Sequence, residues 1–188
     1  MDNIKPLSKM PFEVSNTLSK YFLENSITYE RWTPDHYAYQ ILLDKRRELR
    51  KLFPLRPKDI HLYKITPDSR MLPHLDRGRN ACLQIPCNID SGFKTFSQKD
   101  NVELSAAAYG SHRPAKDNET IVTMPTGPLF FQYEEEKFDT YVTDLPYLQN
   151  AAKAHGGINE TTNVDRYFWS LSYVEDFDYV CDAFREWM

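Results

Sequence analysis

Apolar residues near the N terminus recur three or four positions apart, which is the spacing of an amphipathic helix. Val14 and Leu18 belong to a first helical stripe. A second helix is predicted to begin at Thr33, which can act as an N-cap before a proline and an aspartate, and to end near Pro54. The pattern therefore predicts N-terminal helices over about residues 11–53.

From Asp59 onward the helical spacing gives way to short apolar runs bounded by Pro, Gly, Asn and Asp, which are typical of strands. The apolar residues of the C-terminal tail return to helical spacing and predict a closing helix over about residues 176–188. About eight short strands in succession predict a mainly β sandwich or barrel with flanking helices, in a single domain over residues 1–188. The predicted strands are IHLYKI, NACLQIPC, FKTF, VELSAAAY, ETIVTM, PLFFQY, FDTYVT and RYFWSLSYV.

Composition narrows the classes of partner. The chain has 23 Lys+Arg against 27 Asp+Glu, a formal charge of −4, so no nucleic-acid partner is expected. No apolar run approaches the roughly 20 residues of a membrane helix, and the N terminus lacks the apolar core of a secretory signal, so no membrane association is expected. The three cysteines fit neither a disulfide framework nor a zinc motif, which predicts a reducing, cytoplasmic location.

A His-x-Asp pair lies within the stretch MLPHLDRGRNACLQIPCNI, residues 71–89, which otherwise has the pattern of β-structure. Residues two apart on a strand point to the same side of the sheet, so His74 and Asp76 are predicted to present an imidazole and a carboxylate side by side. Such a pair is half of a metal site. Short pairs of this kind also arise by chance as surface or hydrogen-bonded features, and that alternative stays open for the pair alone.

A second histidine and a basic residue occur far downstream. His155 precedes the turn-like Gly156-Gly157, and Arg166 begins a strongly apolar strand. A planar guanidinium can bind a carboxylate through two parallel hydrogen bonds and keeps its charge when buried. The alternatives are a loop histidine that caps a turn and an arginine that pairs with the adjacent Asp165.

The segments LPHLDRGRNACLQIP and LQNAAKAHGGINETTNVDRYFWSLSY together resemble the iron(II)- and 2-oxoglutarate-dependent dioxygenases, of the prolyl/aspartyl hydroxylase-like type. That family has His-x-Asp, a distant histidine and a basic residue about ten positions later. The resemblance implies a double-stranded β-helix, the jelly-roll or cupin-like fold. It implies that His74, Asp76 and His155 form the catalytic iron site and that Arg166 holds the far carboxylate of 2-oxoglutarate. Many members place a serine two residues after the arginine, where this chain has Phe168.

Three further residues are weaker candidates for contacts to the co-substrate. Tyr63 precedes the His-x-Asp pair on a predicted strand, and Asn80 and Gln84 follow it. A core tyrosine, and amides that satisfy buried backbone groups, are the alternatives. Arg77 and Arg79 are expected to flank the mouth of the site, where they could meet an acidic substrate.

The resemblance further implies iron(II), 2-oxoglutarate and molecular oxygen as cofactor and co-substrates, with ascorbate as a candidate accessory reductant. The implied reaction hydroxylates a C–H bond of a peptidyl side chain or small molecule and converts 2-oxoglutarate to succinate. Three rivals remain open: a cupin-like metalloenzyme that does not use 2-oxoglutarate, a non-catalytic β-barrel, and a zinc hydrolase with the same ligands.

Overall fold

A computed structural model of the chain describes residues 3–24, 29–33, 36–39, 41, 43–76, 78–106 and 129–188. Within these residues lie three α-helices: α1 (Phe12–Glu24), α2 (Leu43–Leu49) and α3 (Phe177–Ala183). The strands are β1 (Ile4–Pro6), β2 (Tyr29–Thr33), β3 (His36–Tyr39), β4 (Asp59–Ile65), β5 (Ser69–Leu75), β6 (Ala81–Pro86), β7 (Phe93–Gln98), β8 (Leu129–Phe130), β9 (Phe138–Val142), β10 (Tyr147–Asn150), β11 (His155–Asn159) and β12 (Arg166–Tyr173).

The described strands form two sheets, and the strand pairs within them are antiparallel. One sheet has seven strands in the order β1-β10-β6-β12-β4-β3-β2. The other has five in the order β8-β5-β11-β7-β9. Neighbours in each sheet are mostly distant in sequence, so the chain passes repeatedly between the sheets. This arrangement brings His74, His155 and Arg166, which are far apart in sequence, close together.

The central strand β12 shows how sequence alternation divides the two faces of the seven-stranded sheet. Trp169 and Leu171 point to one face and join the main apolar core, which also contains Leu18 of α1 and Val180 of α3. Arg166, Phe168 and Ser170 of the same strand point to the opposite face and line a cavity between the sheets. Because side chains alternate along a strand, one face can hold the helices while the other carries polar chemistry.

The predicted N-terminal helices are correct in part. The first is present as α1, whose Val14 and Leu18 are buried. The second, predicted from Thr33 to about Pro54, is wrong over its first half: β2 and β3 occupy that region and pair with each other, and β3 pairs with β4. The Thr-Pro-Asp sequence suits a turn between strands as well as a helix start, and the aromatic residues around it favour a sheet. Among the described residues of this region, α2 and a 3-10 turn at Arg50–Leu52 are helical.

The strand predictions also need two corrections. Residues 102–105 of the predicted strand VELSAAAY are irregular, and Ala106 makes only an isolated bridge to Phe131. The predicted strand PLFFQY is reduced to β8. The predicted strand ETIVTM, residues 119–124, lies outside the described residues. A segment with alternating apolar residues forms a strand only where a neighbouring strand shares hydrogen bonds with it. β8 pairs with β5 over just two residues.

The predicted closing helix is present as α3, followed by a 3-10 turn at Arg185–Trp187. Phe184 and Trp187 are buried in the main core, so the tail packs against the seven-stranded sheet. None of the described helices has the length and apolar character needed to cross a membrane.

Candidate metal centre

A cavity of about 410 Å³, measured to include its open mouth, lies between the inner faces of the two sheets. Its wall contains two imidazoles, two guanidinium groups, hydroxyls and amides, together with a few apolar side chains. The lining residues are Tyr63, Ile65, Met71, His74, Arg79, Gln84, Thr95, Tyr147, Gln149, His155, Gly156, Gly157, Arg166, Phe168 and Ser170.

Two adjacent strands of the five-stranded sheet position the two histidines. His74 of β5 is paired in register with His155 of β11, and their ring centroids lie 4.7 Å apart. Asp76 lies one residue beyond the end of β5. Its Oδ2 is 3.0 Å from Nε2 of His155, and its Oδ1 is 3.8 Å from Nε2 of His74. One donor atom from each residue thus lies within 4.8 Å of the other two.

Backbone carbonyls fix the orientation of both rings. Nδ1 of His74 lies 2.9 Å from the carbonyl oxygen of Leu72, and Nδ1 of His155 lies 2.9 Å from that of Lys153. A carbonyl oxygen only accepts hydrogen bonds, so we infer that Nδ1 of each ring donates to its carbonyl. The two Nε2 atoms face Asp76. In this orientation a histidine can bind a metal through Nε2.

Burial and neighbouring charges set the protonation states of the cluster. Burial, with a contribution from nearby His155, lowers the pKa of His74 to about 4, so its ring is neutral at pH 7. Burial by itself would raise the pKa of Asp76, but neighbouring His155 and the charged Arg79 outweigh it and hold that pKa well below its usual range. The cluster at neutral pH therefore contains an anionic carboxylate and a neutral His74.

Nε2 of His155 is buried and has no hydrogen-bond partner among the described residues, although Oδ2 of Asp76 is only 3.0 Å away. A metal ion bound by Nε2 and by the carboxylate would give this buried nitrogen a partner. Two imidazole nitrogens and one carboxylate oxygen are the donor set of a mononuclear iron(II) centre with open positions, so these residues fit the metal.

Arg166, the first residue of β12, is 2% exposed and lines the same cavity. Nη1 donates to the carbonyl oxygen of Lys94 at 2.7 Å and Nη2 donates to the hydroxyl of Tyr147 at 3.3 Å, while Nε has no partner within the described ranges. No carboxylate of the described residues pairs with it; Asp165, the alternative partner, pairs with Lys64. Burial lowers the pKa of this guanidinium. A buried cation without an acidic partner is costly, and a ligand carboxylate would compensate it.

Two residues after Arg166, where many members of the family that the sequence resembles have a serine, this chain has Phe168. The ring of Phe168 lies under the guanidinium, with Cζ of Arg166 4.8 Å from its centroid. A hydroxyl group at the guanidinium comes instead from Tyr147 on β10. Sequence reasoning missed Tyr147 because only the pairing of β10 with β6 brings it to the cavity.

The three weaker candidates divide. Tyr63 and Gln84 line the cavity, and the buried Oε1 of Gln84 has no hydrogen-bond partner in the described part of the chain. Asn80 does not line it, because its side chain donates to the carbonyl oxygen of Val174 at 2.7 Å. Instead of the expected contact to the co-substrate, Asn80 holds the loop before β6. Arg77 lies outside the described residues. Arg79 is partly buried, lines the cavity and pairs with Asp76.

The predicted turn at Gly156-Gly157 is wrong, because both residues belong to β11. Glycine within a strand often marks a close approach of other groups to the backbone. A Cβ on Gly156 would lie 2.5 Å from the carbonyl oxygen of Met71 and would overlap the ring of Phe96. A Cβ on Gly157 would lie 3.0 Å from Nη1 of Arg166. The two glycines therefore allow β11 to pass between Phe96 and the buried guanidinium.

Replacing Gly156 by alanine is expected to lower the free energy of unfolding by about 2 kcal/mol, because the added methyl overpacks a rigid contact between backbone and ring. Urea unfolding followed by circular dichroism would measure the change. The exposed Ser91→Ala serves as the control and should leave the midpoint unchanged. An unchanged midpoint for Gly156→Ala would show that β11 tolerates a side chain there and would contradict this account of the glycine pair.

The chain matches no protein-family model, and no curated protein is significantly similar to it in sequence. Solved structures are similar to it in fold. The non-heme alpha ketoglutarate dependent epimerase SnoN from nogalamycin biosynthesis is 14% identical with a TM-score of 0.51, over 89% of this chain and 76% of that one. HygX from Streptomyces hygroscopicus, solved with nickel, 2-oxoglutarate and hygromycin B bound, is 13% identical with a TM-score of 0.46, over 89% and 80%.

At these identities the likeness to SnoN concerns the fold. Together with the two antiparallel sheets, it identifies the fold of this chain as a double-stranded β-helix with flanking helices, as the sequence predicts. In this chain the cavity between the sheets is lined by two histidines, and one aspartate completes their cluster of donor atoms.

Proposed function

We propose that this protein is an iron(II)- and 2-oxoglutarate-dependent dioxygenase. The observation that carries the proposal is that His74, His155 and the buried guanidinium of Arg166 line one cavity, that Asp76 lies within reach of both histidines, and that Arg166 has no acidic partner among the described residues. The cluster suits a ferrous ion, and the guanidinium suits the far carboxylate of a dicarboxylate. SnoN, which is similar to this chain in fold, is an alpha ketoglutarate dependent epimerase, and this is consistent with the proposal.

The proposed roles follow from the contacts of each side chain. His74, Asp76 and His155 would hold iron through Nε2, a carboxylate oxygen and Nε2. Arg166 would bind the far carboxylate of 2-oxoglutarate, and the hydroxyl of Tyr147 would orient that carboxylate or the guanidinium. When bound, iron would supply oxygen activation coupled to the conversion of 2-oxoglutarate to succinate and carbon dioxide. The protein's part is to fix the ligands, neutralise the co-substrate and limit the access of water.

The remaining cavity wall would orient the bound co-substrate. The ring of Tyr63 stacks on Phe168 with centroids 5.6 Å apart, and Phe168 lies under Arg166. This places an apolar wall beside the guanidinium, where the two methylene groups of 2-oxoglutarate would lie. The unpartnered Oε1 of Gln84 would accept a hydrogen bond from a water or a substrate group.

We propose hydroxylation of a C–H bond as the outcome, on a peptidyl side chain or a small molecule. The formal charge of −4 disfavours a nucleic-acid substrate. SnoN is an epimerase and shares the fold, so product analysis must accompany turnover assays. A mass increase of one oxygen atom would identify hydroxylation, whereas epimerisation leaves the mass unchanged.

The direct test is turnover of 2-oxoglutarate to succinate in the presence of ferrous iron and ascorbate. Wild-type protein is expected to form succinate slowly even without its true substrate, and His74→Ala is expected to reduce that rate at least 100-fold by removing one donor from the cluster. Arg185→Ala, which changes an exposed arginine on the C-terminal 3-10 turn, should match wild type. Binding of metal without binding or turnover of 2-oxoglutarate would favour a cupin-like metalloenzyme. Activity with zinc alone would favour a hydrolase.

A further inference from the structure

Positive charge is concentrated between the start of α2 and the residue before β4. Residues 43–58 contain seven of the 23 Lys and Arg residues of the chain but two of its 27 Asp and Glu residues. The whole chain has a formal charge of −4, so the sequence outside this segment is strongly acidic. Segregated charge of this kind produces a local positive potential that attracts anionic partners.

The seven cations of this segment divide into two groups. Four make hydrogen bonds or ion pairs within the protein: Lys45, Arg46, Arg50 and Lys58. The other three are exposed, and no described residue forms a hydrogen bond or ion pair with their side chains: Arg47, Lys51 and Arg56. A single unpaired surface cation is ordinary, whereas several on one concave surface repel each other, and an anionic partner would relieve that repulsion.

The three unpaired cations line one groove, which we call the basic groove. Its volume is about 820 Å³, measured to include the solvent at its open side, and its wall consists of Arg47, Arg50, Lys51, Phe53, Pro54 and Arg56. No acidic side chain of the described residues lines it. Arg50 adds a fourth cation, whose Nε is buried and has no hydrogen-bond partner in the described part of the chain.

The wall of the basic groove is anchored to the rest of the protein. Phe53 is buried in the main core, where its ring lies 6.2 Å from that of Trp187. Nη2 of Arg50 donates to the carbonyl oxygen of Lys58 and lies 4.0 Å from Oδ1 of Asp59. A preformed surface loses little conformational entropy when a partner binds to it.

We propose that the basic groove is a docking site for an acidic segment of a polypeptide. Arg47 lies on α2, Lys51 follows four residues later on the 3-10 turn, and Arg56 lies on the next loop, so the charges are spread along the groove. Several carboxylates on an extended segment can pair with all of these cations, and each guanidinium can bind a carboxylate through two hydrogen bonds. A single phosphate would reach only part of the groove.

The charge of the rest of the chain favours a polypeptide over a nucleic acid. A long polyanion would extend past the groove and meet the acidic remainder of the protein, whereas a short acidic segment meets the groove alone. The apolar Phe53 and Pro54 in the wall also suit a segment in which acidic and apolar side chains are mixed. None of the groove residues lines the cavity of the metal centre, so this inference does not depend on the proposed reaction.

Fluorescence anisotropy with a fluorescein-labelled peptide of alternating Glu and Ala, about ten residues long, tests the docking site. A peptide of the same length with Gln in place of Glu is the neutral comparison. Wild-type protein is expected to bind the Glu peptide at least tenfold more tightly than the Gln peptide at low salt, and this preference should shrink as salt screens the exposed charges. Arg47→Gln/Arg56→Gln should weaken binding of the Glu peptide by about tenfold, since two unpaired guanidinium groups are removed. Both positions are exposed, so this variant is expected to fold.

Lys99→Gln/Lys137→Gln is the matched control, because it removes the same charge beside the five-stranded sheet. It should bind the Glu peptide within about twofold of wild type. Equal binding of the Glu and Gln peptides by wild-type protein, or equal losses in the two double variants, would overturn the docking site. A single-stranded DNA of about ten nucleotides is the competing ligand. If it binds more tightly than the Glu peptide and loses that affinity in Arg47→Gln/Arg56→Gln, the partner is a nucleic acid and the assignment to a polypeptide is wrong.

Discussion

Arg166→Met is expected to raise the Kd of the metal-loaded protein for 2-oxoglutarate by about 100- to 1000-fold. Two charge-assisted hydrogen bonds to a carboxylate, each worth about 1.5–3 kcal/mol, would be lost from a buried site. The same change should not destabilise the ligand-free protein, because it removes a buried cation that has no acidic partner among the described residues. Titration calorimetry would therefore show weaker binding of 2-oxoglutarate, whereas urea unfolding would show no loss of stability.

Tyr147→Phe separates the guanidinium from its hydroxyl neighbour. It removes the hydroxyl with its 3.3 Å hydrogen bond to Arg166 and keeps the ring, so we expect a loss of 2-oxoglutarate affinity of about tenfold at most. Arg185→Met changes an exposed arginine and should have no effect on binding. Wild-type affinity in Arg166→Met would contradict the assigned role. A loss of several kcal/mol of stability in that variant would instead identify Arg166 as the partner of a carboxylate within the protein.

The spacing of a few residues predicted much of the site. The two residues of a His-x-Asp pair must lie close together wherever the chain goes, and the structure does group His74 and Asp76. The structure also places the distant His155 and Arg166 in the same cavity, where the family pattern puts them. Hydrophobic alternation predicted β4, β6, β7, β9 and β12, because each has one face in a core.

The errors occur where distant contacts override local sequence. Gly156 and Gly157 favour a turn when the sequence is considered alone, but Phe96 and Arg166 leave space only for glycine, and pairing with β5 and β7 holds the segment as a strand. The helix predicted from Thr33 fails because β3 gains hydrogen bonds along β4. In both regions the deciding partner lies outside the local sequence window.

The contacts of Arg79 could not be predicted from the local sequence either. A charged residue in the sequence RGRN is expected at the surface, and the sequence gives no indication that Ser170 and Ser172, about 90 residues later, accept its hydrogen bonds. Burial of a charged group becomes visible only when its partners are known. Asn80, which was grouped with the co-substrate contacts, shows the reverse case: strand alternation suggested an inward amide, but the residue precedes β6 and binds a carbonyl instead.

His155→Ala is expected to weaken iron(II) or nickel(II) binding by about 1000-fold, since loss of an outer-shell partner alone typically costs 10- to 100-fold and this change removes a donor atom. The buried Nε2 of His155 faces Asp76 at 3.0 Å, and the carbonyl oxygen of Lys153 fixes its ring. The remaining pair, His74 and Asp76, offers only two donors. Competition titration with a chromogenic chelator would measure the change.

His61→Ala is the matched control for this experiment. His61 is also a largely buried histidine, and burial lowers its pKa, but it lies outside the cluster of donor atoms. We expect its metal affinity to stay within about threefold of wild type, and added imidazole should partly restore binding in His155→Ala by filling the vacated space with the missing donor. Equal losses in the two variants would mean that histidine removal disturbs the barrel generally. Undiminished binding in His155→Ala would remove this residue from the metal centre and leave His74 and Asp76 to be explained by their hydrogen bonds alone.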